Sequence, residues 1–223
     1  MKTPHGIFVT GTDTEVGKTY VSCALLKMLN RQGISTIAMK PVASGAEKQN
    51  GKYVNDDALC LHTAASMNAP YDLLNPYVFP DPIAPHIAAA KENIEIDFQQ
   101  IKKSFQTLSE LADFILVEGV GGWLVPLNHK QTVADLAIML NLPVVMVVGM
   151  RLGCINHALL TANAIQQSGA CLQGWIANKL EGDYPCVGEN IEAIAQRLDV
   201  PLLATLDYQL NADRAELVCE LVI

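Results

Sequence analysis

Apolar positions along the chain fall into two alternating rhythms. Short, nearly continuous apolar runs occur at Ile7-Phe8-Val9, 35–39, Phe114-Ile115-Leu116-Val117, 144–149, 172–178 and 201–205. Between several of them, residues 20–29, 97–112, 132–140 and 158–167 carry apolar side chains at helical spacing, and 58–61 begins a similar run after Asn55-Asp56-Asp57. Continuous apolar runs suit strands buried on both faces, and strands that alternate with helices build parallel sheets. The pattern predicts a single α/β domain over 1–223, a doubly wound and mostly parallel sheet with helices on both faces. Two stretches fall outside the rhythm. Residues 47–53 are polar and read as a mobile segment; 75–86 holds four prolines and reads as an irregular surface loop. Residues 212–223 read as a short amphipathic helix.

Composition narrows the class. In 223 residues, 50% hydrophobic content supplies a full core. A net charge of −8 opposes nucleic acid and anionic membranes as partners. No apolar stretch is long enough to span a bilayer, and Met1 to Gly6 leads into the first strand without a leader pattern. The six cysteines are scattered, with no Cys-x-x-Cys pair, as expected of reduced core residues in a cytoplasmic protein.

Chemistry enters at Gly11-Thr12-Asp13-Thr14-Glu15-Val16-Gly17-Lys18-Thr19, set between the first strand and the first helix. Strand, glycine-flanked loop, then Gly-Lys-Thr opening a helix is the layout of a phosphate-binding P-loop. The first N–H groups of a helix lack intrahelical partners and face anionic oxygens. Lys18 then reaches the outer phosphates, and the Thr19 hydroxyl suits a magnesium shell. Five residues separate Gly11 from Gly17, one more than in the common pattern, and two of them are the acids Asp13 and Glu15. The expected class is therefore P-loop NTPase-like.

Other candidates sit at strand ends, where open α/β sheets bind ligands. Lys40 precedes Pro41 after the second strand and is either a site residue or a snorkelling surface lysine. Asp56 and Asp57 are an N-terminal cap of a helix or, for one carboxylate, a metal ligand. Glu118 ends the run 114–117 and is either a magnesium-holding carboxylate or a plain turn residue before Gly119, Gly121 and Gly122. Gly153 opens a helix whose N–H groups suit a carboxylate. His86 is a substrate contact or a capping residue, and Asn178 reads a base edge or caps a turn.

Together these segments closely resemble the dethiobiotin synthetase family, ATP-dependent enzymes of biotin synthesis. The resemblance rests on the long loop 9–19, Lys40-Pro41-Val42-Ala43-Ser44-Gly45, Asn75-Pro76-Tyr77, Pro85-His86, Glu118-Gly119-Val120-Gly121-Gly122-Trp123 and Leu152-Gly153-Cys154-Ile155-Asn156-His157-Ala158. It implies a homodimer that joins 7,8-diaminononanoate and CO2 (or bicarbonate) into a ureido ring, with ATP as co-substrate and Mg2+ as cofactor. By resemblance, Lys18, Lys40, Thr14 and Ser44 serve the carbamate and the transferring phosphoryl group. Thr19, Asp57 and Glu118 surround the metal. Thr12, Asp13, Glu15, Val16, Gly17, Tyr20, Gly119, Val120, Gly121, Asn178, Asp207 and Tyr208 line the nucleotide, and Gly121, Gly153, Cys154, Ile155 and Asn156 the substrate, with 153–156 coming from the neighbouring subunit. The chain departs from the family where Lys179 follows Asn178 and where Asp207 replaces a common proline. The competing class is a partition-type P-loop ATPase that binds a macromolecular partner. Such proteins carry an early P-loop lysine, where this chain has Asp13 and Glu15.

Overall fold

The computed structural model describes residues 5–208. Strand β1 (Gly6–Gly11) passes through the glycine-flanked loop into α1 (Lys18–Arg31), and β2 (Thr36–Met39) follows. Next come β3 (Val42–Ser44), β4 (Glu47–Gln49), β5 (Lys52–Val54), α2 (Asp56–Ala64), α3 (Tyr71–Leu74), β6 (Tyr77–Phe79), α4 (Pro85–Lys91) and α5 (Phe98–Ser109). The second half alternates regularly through β7 (Phe114–Gly122), α6 (Val133–Leu140), β8 (Val144–Met150), α7 (Cys154–Gln167), β9 (Leu172–Lys179), α8 (Val187–Ala195) and β10 (Leu202–Leu206).

Six strands form the main sheet in the order β10-β9-β8-β1-β7-β2, and every neighbouring pair is parallel. The expected α/β class is thus what the chain adopts. Side chains alternate across a strand, so each strand feeds two cores. Ile7 and Val9 join α1 on one face, while Phe8 lies on the other with residues of α5, α6 and α7. Helix α1 fits its face because Val21, Ala24, Leu25, Met28 and Leu29 repeat at one-turn spacing and are all buried. It stops before Gly33, whose φ of 82° a side chain would resist.

Strand β1 lies between β7 and β8, so its carboxyl end opens beside theirs. The P-loop leaves from that point, and Thr12 N–H donates to Val147 O at 3.0 Å. The site therefore lies at the carboxyl edge of the sheet, on its most buried strands.

Three expectations need correction. The segment 47–53 is ordered: Glu47 to Gln49 pairs antiparallel with Lys52 to Val54 around Asn50 and Gly51, both at positive φ. The proline-rich stretch contains regular structure. Tyr77 to Phe79 pairs parallel with Val42 to Ser44, and Pro85 occupies the first turn of α4, where its missing N–H costs nothing. Glu118 does not end its strand. A register shift of β1 between Val9 and Gly11 lets β7 continue to Gly122, so Glu118 is fully buried inside it. The helix expected at 212–223 lies outside the described residues.

Candidate functional site

The P-loop is held from below by side chains and closed by glycine geometry. Gly17 caps α1 at φ 84°, in the left-handed region. A Cβ there would collide with Asn178 Nδ2, which donates to Val16 O at 2.9 Å. Asn178 is buried at the end of β9 and braces the loop from beneath. Next to it the two departures from the family pattern meet: Lys179 Nζ lies 2.5 Å from Asp207 Oδ1. Tyr20 is close enough to Asp207 for that carboxylate to add to the rise in its phenol pKa, which burial chiefly causes. Tyr208 sits against Gly182.

The Asp13 carboxylate pairs with Arg151 rather than with Lys18. Asp13 takes Arg151 through Oδ2 at 2.5 Å and the Thr14 N–H through Oδ1 at 2.8 Å. Its main-chain oxygen accepts from Lys18 Nζ at 3.0 Å. Glu15 is exposed and sits at φ 59°, a conformation that side chains seldom adopt. Arg151 had not been singled out from sequence. The signal was there, a cation directly after the buried strand β8 (Val144–Met150), at the same sheet edge as the P-loop.

Opposite the loop, Lys40 is fixed among carboxylates. Its Nζ lies 2.6 Å from Glu118 Oε1 and 3.4 Å from Asp57 Oδ2, and it donates to Gly119 O at 3.2 Å. Thr19 Oγ1 donates to the same Glu118 Oε1 at 2.9 Å. Lys40 and Glu118 are buried, whereas the Asp57 side chain is half-exposed. Burial opposes the Lys40 charge, but Glu118 and Asp57 outweigh it and raise its pKa above the ordinary lysine value. Lys18 goes the other way. Burial and then the charge on Lys40 lower it to about 8, against the pull of Glu118, Asp57 and Asp13.

A cavity of about 700 Å³ opens over these groups. Thr14, Glu15, Gly17, Lys18, Thr19, Lys40, Ser44, Asp57, Val120 and Gly121 line it, so ten residues singled out from sequence converge on one space. Pro82, Ile83, Ala84, Pro85, Ala43 and Val125 add an apolar wall, and Asn55 also lines it. Thr12, Asp13, Val16, Tyr20, Glu118, Gly119, Asn178, Asp207 and Tyr208 do not line it, nor do Gly153, Cys154, Ile155 and Asn156 at the start of α7. There Cys154 is buried and Gly153 and Asn156 face solvent beside Leu152, which is 92% exposed.

The donor set fits a magnesium ion. Glu118 Oε2 is buried without a partner, beside the Thr19 hydroxyl, and Asp57 stands close by. Among the described residues no group of three or more His, Cys, Asp or Glu gathers as a metal cage. Ser44 Oγ is likewise buried and unpartnered at the cavity. The five cysteines among the described residues are free thiols, and no helix there is long and apolar enough to cross a membrane.

Known proteins share the fold and much of the sequence of this chain. By fold, the chain is similar to the cell division protein FtsY of Thermotoga maritima, with a TM-score of 0.57 and 16% identity over 97% of this chain and 65% of that one. It is similarly related to a ParA family ATPase of Chlorobium tepidum, with a TM-score of 0.55 and 13% identity over 93% of this chain and 85% of that one. These likenesses establish a P-loop NTPase-type fold. A family model described as an AAA domain matches residues 5–216. In sequence, the chain is 49% identical to the ATP-dependent dethiobiotin synthetase of Aromatoleum aromaticum, covering 99% of this chain and 98% of that protein. It is 47% identical to the enzyme of the same name from Nitrosospira multiformis, covering 95% and 92%. A long-loop Gly-Lys-Thr facing a buried Lys–Glu pair, with such identity over nearly the whole length, places the chain in the ATP-dependent dethiobiotin synthetase family.

Proposed function

We propose that this enzyme closes the ureido ring of dethiobiotin from 7,8-diaminononanoate, CO2 and ATP, releasing ADP and phosphate. The observation that carries the reading is the convergence of Lys18, at the start of α1, and Lys40, just after β2, on one cavity at the P-loop. A carbamate and a triphosphate repel each other. Bringing them within reach requires fixed positive charge, and phosphoryl transfer depends mostly on such positioning.

In the first step a neutral amine of the substrate bonds to the carbon of CO2 and loses a proton, giving a carbamate. A carbamate oxygen then attacks the γ-phosphorus as the bond to ADP breaks, giving a carbamic–phosphoric anhydride. The second amine attacks the carbonyl carbon, phosphate leaves, and the ring closes with loss of a proton. Lys40, whose pKa is raised, acts in this scheme as a permanent cation rather than a base. Lys18 meets the outer phosphates, and Thr14 and Ser44 donate to carbamate or phosphate oxygens. Thr19, Asp57 and Glu118 would hold a magnesium ion, which would supply charge neutralisation for phosphoryl transfer.

The apolar wall of Pro82, Ile83 and Val125 suits the substrate's hydrocarbon chain. In a homodimer, the start of α7 on the neighbouring subunit would receive its carboxylate through Gly153, Cys154 and Asn156. Asn178, with Asp207 and Tyr208, forms the base end of the nucleotide site. Such a reaction belongs in the cytoplasm, where ATP is available.

Phosphate release from Mg·ATP, measured with and without the diamine and bicarbonate, tests the proposal. Release should require both, and mass spectrometry should find a product heavier than the diamine by one carbonyl less two hydrogens. Slow release indifferent to both would instead support a partition-type ATPase.

A further inference from the structure

A chain of hydrogen bonds links the segments that carry Lys40, Ser44 and Asp57, and no step of the chemistry accounts for it. It starts at Asn55, which caps α2 by accepting from Ala58 N–H at 3.3 Å. The Asn55 amide donates to Ser44 O at 3.4 Å, and its main-chain N–H donates to the Tyr71 hydroxyl oxygen at 2.9 Å. Tyr71 in turn donates to Asn75 Oδ1 at 2.9 Å. Asn75 Nδ2 donates to Lys40 O at 2.7 Å and to Tyr77 O at 3.3 Å. Lys40 N–H donates to Leu74 O at 2.9 Å.

One short turn, residues 71–75, therefore holds both main-chain groups of Lys40 and also the start of the helix that carries Asp57. Asn55 and Asn75 are buried, and the Tyr71 hydroxyl is used as both donor and acceptor. Each member is thus satisfied by the next, which makes the linkage stiff. The ammonium of Lys40 reaches Asp57 at 3.4 Å, the longer of its two carboxylate contacts. That contact joins a strand end to a separate helix, so its length depends on what ties the two together.

We propose that Tyr71 and Asn75 are positioning residues that set Lys40 against Asp57 for phosphoryl transfer. The proposal rests on the functional reading given above. A purely structural brace would affect stability alone; a positioning device acts through Asp57.

The test is a double-mutant cycle on dethiobiotin formation. Tyr71→Phe deletes one oxygen and leaves Asn55 N–H and Asn75 Oδ1 without their partner. Per folded enzyme, it should lower kcat about 10-fold while the KM for ATP changes by no more than about two-fold. In an Asp57→Asn background the same substitution should cost less than about two-fold, because the group it positions is already lost. An equal fractional loss in both backgrounds, or a loss that only tracks the folded fraction in a thermal melt, would overturn the positioning role. A wild-type enzyme that makes no dethiobiotin would overturn the functional reading itself, whereas an active wild type with an unaffected Tyr71→Phe variant would overturn this inference alone.

Discussion

Lys40 Nζ and Glu118 Oε1 stand 2.6 Å apart, both buried, at the level of the sheet where β2 ends and β7 continues. Removing one partner strands the other charge in the interior. Lys40→Met should therefore reduce stability by about 3–5 kcal/mol. It should also lower kcat by about 100-fold or more, the usual scale for losing one fixed donor at developing charge. Urea unfolding and steady-state turnover read the two effects separately. Turnover within about three-fold of wild type would remove Lys40 from charge neutralisation.

The Arg151–Asp13 pair explains how a carboxylate is tolerated in a phosphate-binding loop. Its side chains are 41% and 45% exposed, so the pair adds little to stability. Arg151→Ala should leave the melting temperature nearly unchanged but raise the KM for ATP about two- to five-fold at low salt, because Asp13 keeps its charge near the triphosphate. The effect should shrink as salt screens that repulsion. An unchanged KM at low salt would contradict this function for Arg151.

Lys18, lowered to about 8 in the free enzyme, gives the reaction a pH signature. In the proposed scheme its charge attracts phosphate, and that charge is present below this pH and lost above it. The kcat/KM for ATP, which reports the free enzyme, should fall as pH rises through about 8, while kcat responds less because bound phosphate retains the proton. A profile flat to about pH 10, where an ordinary lysine titrates, would contradict the assignment.

Gly17 and Gly33 both hold positive φ, at 84° and 82°, but differ in surroundings. A Cβ at Gly33 meets open space; at Gly17 it meets the Asn178 amide. Both alanine variants should pay about 1–2 kcal/mol for the left-handed backbone. Only Gly17→Ala should also weaken nucleotide binding, measured by titration with a fluorescent ATP analogue, since it displaces the brace beneath Val16. Equal nucleotide affinity in the two variants would show that the brace does not shape the loop.

Much of the fold was legible in the sequence because buried parallel strands leave continuous apolar runs. The P-loop was legible because its two glycines, lysine and threonine all fall within one short stretch, Gly11 to Thr19. What escaped had no local signature. The pair β4 and β5 is exposed and polar, so no apolar alternation marks it, and β6 hides among prolines that bracket it rather than interrupt it. Helix α8 buries only Ile194, too little for a visible stripe. In the site, Lys40, Asp57 and Glu118 could be proposed one at a time from strand and helix ends. Their convergence depends on the order in which strands enter the sheet. Arg151 and Tyr71 acquire a role only through partners 138 and 16 residues away.

In the proposed reaction a carbamate oxygen, not water, attacks the γ-phosphorus. Oxygen-18 in the supplied bicarbonate tests it most directly, with the released phosphate analysed by mass spectrometry after a brief incubation in unlabelled water. Label should pass from bicarbonate into the phosphate as dethiobiotin forms, since the oxygen that attacks phosphorus leaves with it at ring closure. Phosphate carrying only oxygen from ATP and water, formed alongside dethiobiotin, would contradict it.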